Sequence, residues 1–540
     1  MLQAQKLPEH DFPNAMMRTI TSYSIVTLMS SLRIQLARNT VLSMFSYLMS
    51  MTVALFLTPM VLGALGTAGY GAWMLILQVT GYAGLLDLGL QPAVAKAVAE
   101  AQGSEGFDKV RKVIGSALAL NLCLALLALL FYGVFSSSVL AYFHWDTIHV
   151  EVIQSALLWV ALGLALNFPA SMFTAILKGT MSFDQVAIVQ IAMNLVRAGG
   201  TILSIKFNHG IIGLAQASMV ANATALFLSW VFAWRWQDRL PWRPVSWDMV
   251  ELRGLLFFSG SAFLAQGGWF LAYATDSIVI GLMLTAADIA YFGLPVSVFA
   301  VVIGLSSTLA VNFLPLASRL NAQGDREAMR RSFMLAVRYS LFLAVPMVLV
   351  IIVFGPGLLA GWLGVEFAGH AAPVLRILAC SYLCVIAAGP AMQSALGLGM
   401  QGTVAKMYIT EGIINLGLSI ALAPRFGVAG VALGTLIPAF LFHGILWPFL
   451  HCRKIELPIE EYFRTSLRPV VLPLFLAVPV SLGLHFAISV DPLFVALLSA
   501  VAVPLIYWIL AWFTCFDQEQ REFWKTKLMG LIGTSEPTVP

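Results

Sequence analysis

Charge is what this sequence has least of. Only 10% of its 540 residues are Asp, Glu, Lys or Arg, against about 25% in a soluble domain, and 60% are hydrophobic. With a mean hydropathy of +0.88, there is too little polar surface to cover a water-soluble globule, so the expected solvent is lipid. Cysteine is also scarce. The five present (Cys123, Cys380, Cys384, Cys452 and Cys515) form no CxxC pair and no zinc spacing, and their expected role is packing. No Walker A loop, GxSxG or HExxH is found, and the eight histidines are scattered. These absences remove nucleotide-driven pumping and the commoner hydrolytic chemistries, so no enzyme activity is expected. Residues 1–15 lack an apolar core with a cleavage site, so the first helix is expected to direct insertion. The net charge of +4 is read as loop placement, with no nucleic-acid partner.

What is present is a series of apolar runs of about 20 residues, enough to cross roughly 30 Å of hydrocarbon as helices. The runs are continuous rather than alternating, which excludes a barrel. They predict an all-α integral membrane protein of about fourteen transmembrane helices. The first six lie near 40–64, 71–95, 113–135, 152–176, 185–205 and 210–234. Six more fall near 255–284, 289–316, 334–360, 372–396, 407–423 and 428–450, and a final pair near 469–489 and 492–515. The domains expected are an N-terminal extension (1–37), a first lobe (38–235), a second lobe (254–451), the C-terminal pair (469–515) and a tail (516–540). Loop charge supports this count. Apart from two arginines inside spans, Arg197 and Arg376, every Lys and Arg falls on one side except Lys206 and Arg425. By the positive-inside rule that side is cytoplasmic and holds both termini. The opposite loops are short and almost free of arginine, unlike those of a membrane glycan polymerase or ligase.

The chain repeats itself at an offset of about 217 to 221 residues. Ala101-Gln102-Gly103 meets Ala322-Gln323-Gly324, Asn194-Leu195 meets Asn415-Leu416, and Gly210-Ile-Ile-Gly213 meets Gly427-Val-Ala-Gly430. Six helices separate the copies, so both enter from the same side. Two parallel lobes are expected, with a central cavity between them exposed alternately to either side.

Five ionisable residues fall inside predicted spans: Asp87, Arg197, Asp276, Arg376 and Glu411. Each costs about 2.5 to 3.5 kcal/mol at a helix centre, which calls for a partner or a use. Arg197 and Arg376 carry guanidinium forks that match a pyrophosphate group. Asp87, and Arg38 at a helix end, complete the candidate substrate contacts, with structural pairing or interfacial anchoring as the plainer role. Glu411 and Asn415, one turn apart, offer oxygens to a coupling ion, Na+ or H+, with Asp276 as a third donor. Interhelical hydrogen bonding is the alternative for these three.

Over roughly Arg38 to Leu450 the chain resembles the polysaccharide or O-antigen flippases of the multidrug/oligosaccharidyl-lipid/polysaccharide exporter superfamily. The resemblance rests on Gly69-Tyr70-Gly71-Ala72-Trp73, Gly81 to Leu90, Asp276 to Gly281, Phe313 to Asp325, Gly361-Trp-Leu-Gly364 with Val374 to Leu378, Glu411 to Asn415, and Pro424 to Gly430. It implies a two-lobed transporter that moves a polyprenyl-diphosphate-linked oligosaccharide across a bacterial inner membrane, alongside polysaccharide assembly proteins. A cation-coupled drug exporter of the same superfamily is the second reading.

Overall fold

The computed structural model describes residues 49–82, 90–102, 107–138, 142–143, 145, 148–235, 248–253, 267–311, 313–487, 492–514, 516, 518, 521–522 and 526. Among these there is helix and no strand, as expected for a chain whose backbone groups must be satisfied within each segment in lipid. In chain order the first helices are α1 (Met49–Tyr82), α2 (Leu90–Gln102), α3 (Phe107–Ser138), α4 (Val150–Gly179), α5 (Phe183–Lys206) and α6 (Gly210–Trp234). The second set is α7 (267–273), α8 (Asp276–Met283), α9 (Ala286–Val311), α10 (Phe313–Gln323), α11 (Arg326–Leu363), α12 (Val365–Gly397) and α13 (Gln401–Ala439). A π-helical segment, Phe440–Leu446, joins α13 to α14 (Trp447–Lys454). Beyond it run α15 (Ile459–Tyr462), α16 (Arg468–Val471), α17 (Leu474–Ala487) and α18 (Pro492–Thr514).

Eleven described helical stretches are long and apolar enough to span a membrane. Two of these contain a glycine with positive φ, Gly66 (φ 70°) and Gly427 (φ 58°), where the chain turns back between two of the expected spans. The starts of the first and seventh expected spans lie outside the described residues. The repeated motifs share their backbone. Gly210 (φ 57°) and Gly427 (φ 58°), paired by the sequence offset, both open a helix from the left-handed region, which glycine enters without steric cost. Packing repeats too: α4 lies against α2, α3 and α6, while α12 lies against α10, α11 and α13.

One hydrophobic core joins the first half to the second, and it sits at a single end of the molecule. Phe143 and Trp145, before α4, pack there with Ile211 of α6, Ile280 of α8, Phe367 of α12 and Val431 beyond Gly427. At its centre α1 meets the start of α9 so closely that a Cβ on Gly71 would stand 1.7 Å from the Ala286 carbonyl oxygen. The remaining clusters each belong to one half, one drawn from residues 90–233 and the others from 313–511 and 388–447. The halves are therefore sealed together at the end whose loops carry few basic residues.

Prolines inside the spans leave carbonyls without their i+4 donor, and neighbouring helices supply replacements. Pro346 frees the Phe342 carbonyl, which accepts from Trp508 Nε1 of α18 at 2.9 Å. Pro356 frees that of Ile352, which accepts from Arg376 Nε of α12 at 3.1 Å. Pro469 frees that of Thr465, which accepts from Arg338 Nε of α11 at 2.9 Å. Such side-chain donors are how lipid-embedded helices tolerate proline. Trp508→Phe removes a donor while keeping the ring, so thermal unfolding of the detergent-solubilised variant is expected to show a loss of about 1 to 3 kcal/mol, the cost of an orphaned buried carbonyl.

The segment after each set of six expected spans clasps the third span of that set. Asp248 accepts from Lys112 of α3 at 3.1 Å, and its backbone N–H donates to Ser116 Oγ at 3.0 Å. On the other side Glu456 pairs with Arg326 and, at 3.5 Å, with Arg330 of α11. The Val250 N–H, and then Lys112, hold the Asp248 carboxyl below its usual range. Its contribution is present above the unfolded carboxylate value of about 3.9 and is lost as pH falls through the lower folded value. Hydrogen exchange of residues 248–253 is accordingly expected to stay slow through mild acid in the wild type. In Asp248→Asn it should be faster already at neutral pH.

Candidate functional site

The sequence singles out seven site residues, and the structure distributes them among separate environments. Arg38 and Asp87 lie outside the described residues. Arg197 is half-buried on α5 and lines a cavity of about 450 Å³ walled by α1, α4, α5 and α6. Its Nη2 donates to Asn222 Oδ1 at a long 3.5 Å, while its buried Nε has no partner. Asn167 of α4, Ser218 of α6, Thr58 and Thr80 of α1, and the rings of Tyr70 and Trp73 complete a wall of hydrogen-bonding and aromatic groups. A guanidinium with an unspent donor, among uncharged acceptors and donors, suits an anionic group bearing several oxygens.

Arg376 does not join it. It is exposed on α12, and its Nε is spent on the carbonyl that Pro356 frees. The two arginines that the sequence sets on one headgroup therefore lie in separate environments, Arg197 at the cavity and Arg376 on the hairpin of α11 and α12. The cavity that Arg197 lines is formed within the first half, with no described lining residue beyond Asn222.

The second half buries a polar cluster. Asp276 opens α8, and its two carboxylate oxygens accept from Ser419 Oγ at 3.2 Å and Thr435 Oγ1 at 2.8 Å. Ser419 also lies 3.4 Å from Asn415 Oδ1 and 3.5 Å from the Val431 carbonyl. Asp276, Asn415, Ser419 and Thr435 are each at most 3% exposed, so their described partners are one another and the Val431 carbonyl. Glu411, expected beside Asn415 as a donor, takes other partners. Its oxygens meet the Tyr273 hydroxyl at 2.9 Å and His443 Nε2 at 3.0 Å.

Sequence reasoning missed Asn222, Ser419, Thr435 and His443. The test that picks Asp276, a polar group inside an apolar run, also picks His443, whereas single hydroxyls such as Ser419 carry no comparable signal.

A second hollow, about 560 Å³ and almost wholly apolar, lies between α1, α9, α11 and α18. The helix α1 divides the two spaces. Ala54, Leu57, Thr58 and Val61 face the Arg197 cavity, and Met51, Leu55, Phe56 and Pro59 line the apolar groove.

Residues 65–372 match the family described as Polysaccharide biosynthesis protein. The chain belongs to this family. Among curated relatives it is 23% identical to "Uncharacterized membrane protein EpsK" of Bacillus subtilis, over 89% of this chain and 97% of that one. It is 22% identical to "Probable low-salt glycan biosynthesis flippase Agl15" of Haloferax volcanii, over 69% and 74%. With "Putative O-antigen transporter" of Shigella flexneri it shares 19% identity over 77% and 97%. Its fold is similar to that of the lipid II flippase MurJ in an inward closed conformation, with a TM-score of 0.69 and 16% identity, covering 91% of this chain and all of that one. The family and these neighbours bear out the membership expected from the sequence motifs and a multi-helix membrane transporter fold.

Proposed function

We propose that this protein moves a polyprenyl-diphosphate-linked oligosaccharide from the cytoplasmic to the outer leaflet of a bacterial inner membrane, for surface polysaccharide assembly. The observation that carries this reading is Arg197: a half-buried cation lining a cavity of about 450 Å³ together with Asn167, Ser218 and Asn222, in a chain of this family. The diphosphate and first sugars fit the Arg197 cavity, and the apolar groove across α1 fits part of a prenyl tail. The relatives named as a glycan biosynthesis flippase and an O-antigen transporter support a glycan as the substrate class. Drug export is disfavoured, since a cationic cargo calls for an acidic cavity and none of the described lining residues is acidic.

The end sealed by Gly71, Trp145 and Phe367 carries the loops poor in Lys and Arg, which the positive-inside rule places outside the cell. The described conformation is thus read as closed outward, with loading from the cytoplasm and release after that seal parts. The coupling ion fits the second half. Asp276, Asn415, Ser419, Thr435 and the Val431 carbonyl supply only oxygens, the donor set of a small hard cation such as sodium. These residues would hold the ion and, once it is bound, fix α8 against α13. Bound charge there neutralises the Asp276 carboxylate that the fold otherwise buries.

Deletion of the gene, followed by analysis of lipid-linked intermediates, tests the function. Accumulation of the intermediate in the inner leaflet is expected. Unchanged surface glycan together with raised drug sensitivity would overturn it.

A further inference from the structure

The pair formed by Glu411 and His443 is left over by this account. Both side chains are almost wholly enclosed (3% and 0% exposed), and Nε2 meets the carboxylate at 3.0 Å. His443 lies in the π-helical segment Phe440–Leu446, a local widening of the helix that recurs at functional sites. Its other nitrogen, Nδ1, is buried and has no partner among the described residues. A histidine kept for structure is ordinarily tied at both nitrogens, which fixes one tautomer. Here neither tautomer is locked.

We propose that Glu411 and His443 form a proton-binding dyad, a second coupling site separate from the cation donors around Asp276. In an apolar interior the pair is neutral overall with one proton between carboxylate and imidazole. Gain of a second proton leaves a net positive charge and loss of the first a negative one, so the proton count of the pair sets the charge buried there. The titratable groups packed about it are Tyr273 from α7, Tyr408 from α13 and, behind Tyr273, Tyr382 from α12. Tyr273 stacks near Tyr382 at 6.3 Å and near the His443 ring at 6.5 Å between centroids. Tyr408 lies 6.0 Å from that ring. Tyr273 donates its hydroxyl to Glu411 at 2.9 Å and packs its ring on that of Trp269.

Glu411, Asn415 and Ser419 recur at four-residue intervals along one face of α13, which sets the dyad beside the proposed cation site. A cation bound at Asp276 and a proton on the dyad repel each other, so occupancy of one site opposes the other. The purpose assigned to the proton rests on the transporter reading; its binding does not.

The test steps the pH over the full-length protein in lipid nanodiscs while recording infrared difference spectra. The wild type and Asp276→Asn are expected to show the carbonyl stretch of a protonated carboxylic acid growing in on acidification. Glu411→Gln should remove that band. His443→Gln and the milder Tyr273→Phe should retain it with a midpoint moved by about one pH unit or more, while the amide bands report that each variant is folded. A band unchanged in Glu411→Gln, or a midpoint unmoved by both His443→Gln and Tyr273→Phe, overturns the dyad. No glycan is added, so a failure of the flippase reading leaves this result intact.

Discussion

Arg197→Gln is expected to abolish surface polysaccharide export while leaving the protein folded and in the membrane. The side chain spends only one long bond, 3.5 Å to Asn222, on the protein itself, so its removal takes away little internal structure. What it takes away is the only cation among the described residues lining the cavity. A charge-assisted bond to phosphate contributes about 1.5 to 3 kcal/mol, so the loss of affinity for a diphosphate-linked glycan is about tenfold to more than a hundredfold. Arg197→Lys keeps the charge and loses the planar fork, and should restore part of the function. The measurement is complementation of a deletion strain, scored as surface glycan against accumulated lipid-linked intermediate, with protein abundance as control. Full complementation by Arg197→Gln would remove the cavity from the transport path.

Gly71→Ala should be almost as damaging, through the seal rather than the cargo. Its new Cβ would lie 1.7 Å from the Ala286 carbonyl oxygen, a separation no atom pair tolerates, and the obstacle is backbone that no rotamer change can move. The start of α9 and the middle of α1 must therefore part. Overpacking of this kind costs about 1 to 3 kcal/mol. In a two-state transporter that is a shift of roughly five- to more than a hundredfold toward the state in which this end is open. Single cysteines placed near Trp145 or Phe367 should then react with membrane-impermeant thiol reagents from outside much faster than in the wild-type background. Unchanged reactivity would show that the seal tolerates the added methyl group. Gly63, by contrast, has open space where a Cβ would go, so Gly63→Ala is the matched control.

Much of the fold is legible from the sequence because lipid imposes so few solutions. Runs of apolar residues become helices, and the glycine pair Gly210 and Gly427, aligned by a simple offset, marks the same turn in both copies. The sites are less legible, since a polar residue in a helix announces that it has a partner without saying which. Asp276 and Asn415 do meet, through Ser419. Arg376 illustrates the opposite case. Its partner is a backbone carbonyl, invisible to any tally of side chains. A signal was nonetheless there: α11 and α12 form a hairpin about Gly364. Ile352 and Arg376 lie equally far before and after that glycine, which puts them at the same height, four residues from Pro356. A proline and an arginine so placed about a helix turn point to repair of the backbone before they point to ligand.

The position of α1 has a mechanical consequence. The arm of α1 before its turn at Gly66 is at once a wall of the Arg197 cavity and a wall of the apolar groove, so these two spaces cannot be reshaped independently. Any roll of that arm about its axis narrows or widens both together. An amphiphile lying across it would have head and tail gripped or released in the same stroke, as on the two sides of a single cam.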